Sequence, residues 1–158
     1  MTWSPESAVE DFRAVAHLAG IKLPKDAITI ELLSAPHKRP TLLPSGKIAV
    51  YVFTIGVDAL KVAKVGSKSG ARYVAQHYSA GSSRSNLARS LLVDSARYGG
   101  KFNAANIGAW ICENVDRVNF LIDAHVGVAV LTLLEAFLQC RLNPRYEGFK
   151  SQRLDTLA

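Results

Sequence analysis

The chain contains only two cysteines, one methionine and no apolar run long enough to span a bilayer. Each scarcity removes a class. Cys112 and Cys140 form neither a ligand cluster nor a disulfide framework. Both stand in apolar, helix-like surroundings and read as reduced core residues. The longest apolar stretch, around Val126 to Leu138, is interrupted by Thr132 and Glu135, so no transmembrane helix is expected. The opening residues Met1 to Ser7 lack a basic segment followed by an apolar one, so no secretory signal is expected and a cytoplasmic location follows. Acidic residues are also scarce: 13 Asp and Glu face 19 Lys and Arg, a formal net charge of +6. That balance favours polyanionic partners over cationic ones.

What is present suits one folded domain. The 158 residues are 49% hydrophobic, enough for a core and too apolar for a disordered chain. Ser4 before Pro5 reads as an N-cap and first helical residue, and Val9, Phe12, Ala16 and Ala19 recur at helical spacing until Gly20. Residues 26–33 read as a short strand and 34–46 as a proline-rich loop. That loop carries His37, Lys38 and Arg39, a solvated cationic cluster or a phosphate contact. Ile48 to Ile55 and Leu60 to Val65 read as strands joined by a tight turn at Gly56. Helices are expected over 71–78, 86–96 and 107–113, a third core strand over 117–122, and a long apolar helix from Ala124 to Cys140 ended by Asn143-Pro144. The tail from Arg145 is polar. The whole predicts an α+β fold: a small three-stranded antiparallel or mixed sheet covered by helices. Residues 1–46 form an N-terminal helix and strand extension, 47–146 the core and 147–158 a tail.

Glu135 is the most informative residue, because it interrupts a helix that is apolar nearly all round. A carboxylate there needs a cation, a salt-bridge partner or an edge that reaches water. Tyr51 lies mid-strand, Lys64 on the strand after it, and Arg72 and His77 on the helix that follows. Each has an ordinary structural reading on its own: a half-buried strand tyrosine, or a residue on an exposed face.

Together these residues resemble the GIY-YIG nuclease superfamily. Ala49-Val50-Tyr51 stands where the first tripeptide would be and Lys64-Val65-Gly66 where the second would be. Ala71-Arg72-Tyr73 with Gln76-His77-Tyr78 is similar to the arginine helix. Leu134-Glu135-Ala136-Phe137, followed by Leu142-Asn143-Pro144, is similar to the glutamate helix. The first tripeptide keeps only its tyrosine. Lys64 replaces the second tyrosine, as in some restriction-enzyme branches, and His77 stands one residue further from Arg72 than is usual. The resemblance implies a divalent-metal-dependent endonuclease acting on DNA, with Glu135 holding Mg²⁺ (Mn²⁺ substituting) on the scissile phosphate. It implies Tyr51 as general base or water-positioning group with its pKa lowered by Lys64, and Arg72 on the phosphate oxygens. His77 would assist proton transfer, and Asn143 would orient the glutamate helix end or touch substrate. Lys68, Arg84, Arg89 and Arg97 are expected to flank the cleft and contact phosphates. Palindromic cutting would require a homodimer. Two other readings stay open: a nucleic-acid-binding module that keeps the fold without catalysis, and a partner-binding or toxin-like domain in which Glu135 is simply part of the core.

Overall fold

A computed structural model describes residues 3–83 and 86–147. The chain runs α1 (Pro5–Leu18), β1 (Ile28–Leu33), β2 (Lys47–Ile55), β3 (Asp58–Val65), α2 (Gly70–Val74), α3 (Leu87–Val93), α4 (Ile107–Asn114), β4 (Asp116–Asp123) and α5 (Val128–Leu142). Ser4 caps α1 by accepting the Ser7 N–H at 3.0 Å, with Pro5 in the first turn. Gly56, at φ 57°, supplies the left-handed residue of the tight link between β2 and β3.

The sheet is antiparallel throughout and has four strands in the order β1-β4-β2-β3. The expected three-strand count is therefore one short. β1 belongs to the sheet, pairing with β4 from Ile28↔Ile122 to Leu33↔Arg117. The sequence supplied β1 with alternation but not with a partner, and its partner lies far along the chain.

Alternation along each strand divides the interior in two. Ile48, Val50, Val52, Val62, Val118, Phe120 and Ile122 point toward α1 and α5 and form one core with Phe12, Leu131, Leu134 and Leu138. Ala49, Tyr51, Phe53, Ala63, Val65 and Leu121 point the other way, into a second core with Leu87, Leu91, Ile107 and Ile111 of α3 and α4. Gly108 lets α4 press against the chain around Tyr78, since a Cβ there would lie 2.7 Å from the Tyr78 carbonyl oxygen.

Three of the helices are shorter than their apolar patterns predict. The segment expected as one helix over 71–78 breaks at Ala75 and continues as a 3-10 turn, Gln76–Tyr78. The break lets His77 and Tyr78 point into the second core. The helix expected over 86–96 ends at Val93 and also passes into a 3-10 turn. The last helix starts at Val128 because Gly127 adopts φ 102°, and ends at Asn143 in the left-handed conformation. Cys140 is exposed on α5 and Cys112 half-buried, so neither is the fully buried core residue expected.

The beginning of the polar tail is tied down. The Arg145 and Tyr146 N–H groups donate to the Ala59 and Leu60 carbonyls at 3.0 and 2.8 Å. Glu147 Oε1 accepts the Val62 N–H at 3.0 Å. These bonds cover the outer edge of β3, which would otherwise expose unpaired backbone. Residues 148–158 lie outside the described residues. Among the described residues no helix is long and apolar enough to cross a membrane.

Candidate functional site

The structure divides the expected site residues between the two faces of the sheet. Lys64 sits opposite Val50, so its side chain shares the α5 face. There Lys64 Nζ meets Glu135 Oε2 at 2.6 Å, with the two side chains 34% and 17% exposed. Residues 71 apart in sequence thus form a half-buried ion pair where α5 crosses the edge strand. Glu147 stands close by, its Oε2 receiving Gln139 Nε2 at 3.1 Å. Burial raises the Glu147 carboxyl's pKa, and the nearby Glu135 charge adds to that rise. Among the described residues no three His, Cys, Asp or Glu side chains group as a larger metal cluster would need.

Tyr51 sits opposite Ala63 and points to the other face. The expectation that Tyr51 and Glu135 line one cleft is not met: β2 and β3 stand between them. Tyr51 is fully buried, and its ring meets Tyr73, His77 and Phe53 edge-on at 5.7, 5.4 and 5.9 Å between centroids. Burial pushes its pKa up to about 12, while the nearby charges of Arg117 and then Arg72 pull the other way. The expected lowering by Lys64 is therefore reversed in sign, and the cations beside the phenol are different ones. A buried phenol held in its neutral form does not serve as a base at neutral pH.

Arg72 is exposed on α2. Its guanidinium lies close to the Tyr51 hydroxyl without making a well-formed hydrogen bond. His77 is buried. Its Nδ1 accepts the Leu87 N–H at 3.2 Å, so in the neutral ring Nε2 carries the proton. Burial holds its pKa well below the usual histidine value, and the charges of Lys61, Arg117 and Arg72 act in the same direction. Tyr51, Arg72 and His77 therefore do come together, but around a different centre from the one expected.

That centre is Arg117, which the sequence reading passed over. Its side chain is fully buried on β4. The guanidinium lies 4.4 Å from the Tyr51 ring centroid, 4.5 Å from Tyr73, 5.4 Å from Phe53 and 6.0 Å from Tyr78. Nε donates to Asn119 Oδ1 at 2.7 Å and Nη1 to the Tyr78 hydroxyl at 3.3 Å. Asn119 in turn donates to Glu31 Oε2 at 2.7 Å, and the Tyr73 hydroxyl approaches the same oxygen at 3.4 Å. Aromatic faces and a carboxylate one residue removed thus stand in for a direct counterion. The Tyr51 hydroxyl, His77 Nε2 and Arg117 Nη2 are buried in this cluster without a hydrogen-bond partner among the described residues.

The outlying residues are scattered. Lys68 and Arg89 are exposed, near α2 and on α3. Arg97 pairs with Asp94 at 2.8 Å. Asn143, at φ 43°, is the left-handed residue closing α5, so the fold already gives it a structural task. Arg84 lies outside the described residues. No protein-family model matches the chain, and no curated protein or solved structure matches it either.

Proposed function

We propose that the chain is a divalent-metal-dependent endonuclease that hydrolyses DNA phosphodiester bonds, with Lys64 and Glu135 at the centre of its site. The observation that carries the reading is their ion pair at 2.6 Å, which joins the two motif positions most unusual for a strand and an apolar helix. The order of hairpin, helices, strand and last helix is consistent with the GIY-YIG-like reading, as is the charge of +6. Mg²⁺ takes one or two carboxylates together with water and phosphate oxygens, and Mn²⁺ suits the same donors. Glu135 meets that need by giving up Lys64, with the Glu147 carboxyl near it. When bound, such an ion supplies charge to the scissile phosphate and a more acidic water. Lys64, released from Glu135, moves its ammonium onto a phosphate oxygen and offsets charge there. Arg72 holds the neighbouring backbone phosphate from the α2 side. Tyr51 and His77 act as positioning residues beneath Arg72 rather than as proton carriers. The lysine at position 64 favours a place in restriction or defence against foreign DNA.

A second reading has an observation of its own. Tyr51 and Glu135 stand on opposite faces of the sheet, which suits a nucleic-acid-binding module without catalysis. Supercoiled plasmid incubated with the protein in Mg²⁺ separates the two. The nuclease reading expects nicked or linear product, lost on chelation and lost in Glu135→Gln. Retarded but intact plasmid in Mg²⁺ and in Mn²⁺ supports the binding module.

A further inference from the structure

Beside the Arg117 cluster, β1 and the loop that follows it enclose a half-open cavity of about 330 Å³. Glu31, Tyr73, Lys38 and Arg39 line it together with the apolar Leu33 and Leu42. Glu31 and Arg39 are held in place. Glu31 Oε2 receives Asn119 and Tyr73, whereas Oε1 has no protein hydrogen bond among the described residues. The Arg39 guanidinium rests 5.5 Å from the Tyr78 ring centroid. Lys38 has no carboxylate partner among the described residues.

We propose that this cavity binds a single guanine nucleotide, Glu31 accepting the base's N–H donors and Lys38 and Arg39 holding its phosphate. The volume lies at the lower end of the range that small ligands occupy. The apolar walls suit the faces of a planar base. A fixed carboxylate with a free oxygen selects hydrogen-bond donors. Guanine offers an imino and an amino N–H side by side on its Watson–Crick edge. Adenine and cytosine set a ring acceptor beside their amino group, and uracil flanks its N–H with carbonyls, so each brings a lone pair toward the carboxylate. The two cations attract the phosphate without distinguishing bases. The idea deepens the nucleic-acid reading by giving β1, which stands outside the motif-bearing segments, the task of choosing a base. It requires an unpaired or extruded nucleotide, because paired guanine hides that edge.

The test is calorimetric titration of the full chain with the four ribonucleoside 5′-monophosphates at low salt. Guanosine monophosphate should bind saturably and at least about tenfold more tightly than the other three. Glu31→Gln should erase that preference. Lys38→Ala should weaken all four nucleotides alike. Because Glu31 also supports the buried Asn119, Leu42→Trp provides a second variant: it fills the cavity mouth from an exposed position and should abolish binding with unchanged melting. Saturable binding without base preference, or none up to millimolar nucleotide, overturns the proposal. Glu135→Gln should still bind guanosine monophosphate, so loss of plasmid cleavage and loss of nucleotide binding fail separately.

Discussion

The two faces of the sheet are built on opposite principles. The α1/α5 face is aliphatic and satisfied by packing alone, with Val50, Val52, Val118, Phe120 and Ile122 against Leu131, Leu134 and Leu138. Its charged contacts among the described residues, Lys64–Glu135 and Arg141–Asp11, sit at the rim and keep contact with solvent. The opposite face places an arginine, an asparagine and a histidine among tyrosines in the interior, with three polar atoms left unpaired among the described residues. Burying such groups is costly, and an apolar core of the same shape would serve stability as well or better. On the first face charge stands at the edge, within reach of solvent. On the second it is locked in place and, through Asn119, holds the surface carboxylate of Glu31.

That contrast can be broken in order of expected effect. Arg117→Ala should destabilise the chain by about 3–5 kcal/mol, through lost volume and through Asn119 and Tyr78 losing their donor. Arg117→Met should recover part of that by refilling the space. Urea denaturation measures both, and a loss near zero for Arg117→Ala would mean that the cage contributes nothing. His77 comes next. Its folded pKa is depressed, so below the ordinary histidine value of about 6.5 the unfolded chain takes up a proton that the folded chain refuses. Stability contributed by the neutral ring is therefore full above that pH and falls below it, by up to about 1.4 kcal/mol per pH unit. His77→Phe should flatten melting temperature against pH between about 6.5 and 5. An unchanged profile would place the acid sensitivity elsewhere. Lys64→Met should alter stability by no more than about 1 kcal/mol, as expected for a half-exposed pair, while reducing cleavage sharply. Tyr51→Phe is the smallest perturbation. It removes a buried hydroxyl that has no hydrogen-bond partner among the described residues and should change stability by less than about 1 kcal/mol in either direction.

Much of this was legible in the residues. Ser4-Pro5 and Gly20 bracket α1, β-branched runs mark β2 and β3, and Asn143-Pro144 ends α5, because caps, turns and alternation are local physics. The pairing of Lys64 with Glu135 answers the question that a carboxylate in an apolar helix raises. Other features depend on pairings far apart in sequence. Reading β4 by Val118, Phe120 and Ile122 assigns Arg117 and Asn119 to a wet face. They are buried because α2 and the 3-10 turn after it lay Tyr73 and Tyr78 over them, while α3 and α4 close the rest of that face. The apolar residues of those helices, Leu87, Leu91, Ile107 and Ile111, are the signal that a second sheet face had to be closed. Register decided the rest. Tyr51 and Lys64 differ by one step across the hairpin, and that step places them on opposite faces.

In the proposed nuclease, catalysis belongs to the Lys64–Glu135 rim and not to the buried phenol. Single-turnover cleavage of supercoiled plasmid in Mg²⁺, run side by side with Tyr51→Phe and Glu135→Gln, separates the two locations. Tyr51→Phe is expected to cut at close to the parent rate and Glu135→Gln to leave the plasmid intact. Cleavage lost in Tyr51→Phe but retained in Glu135→Gln would contradict that assignment.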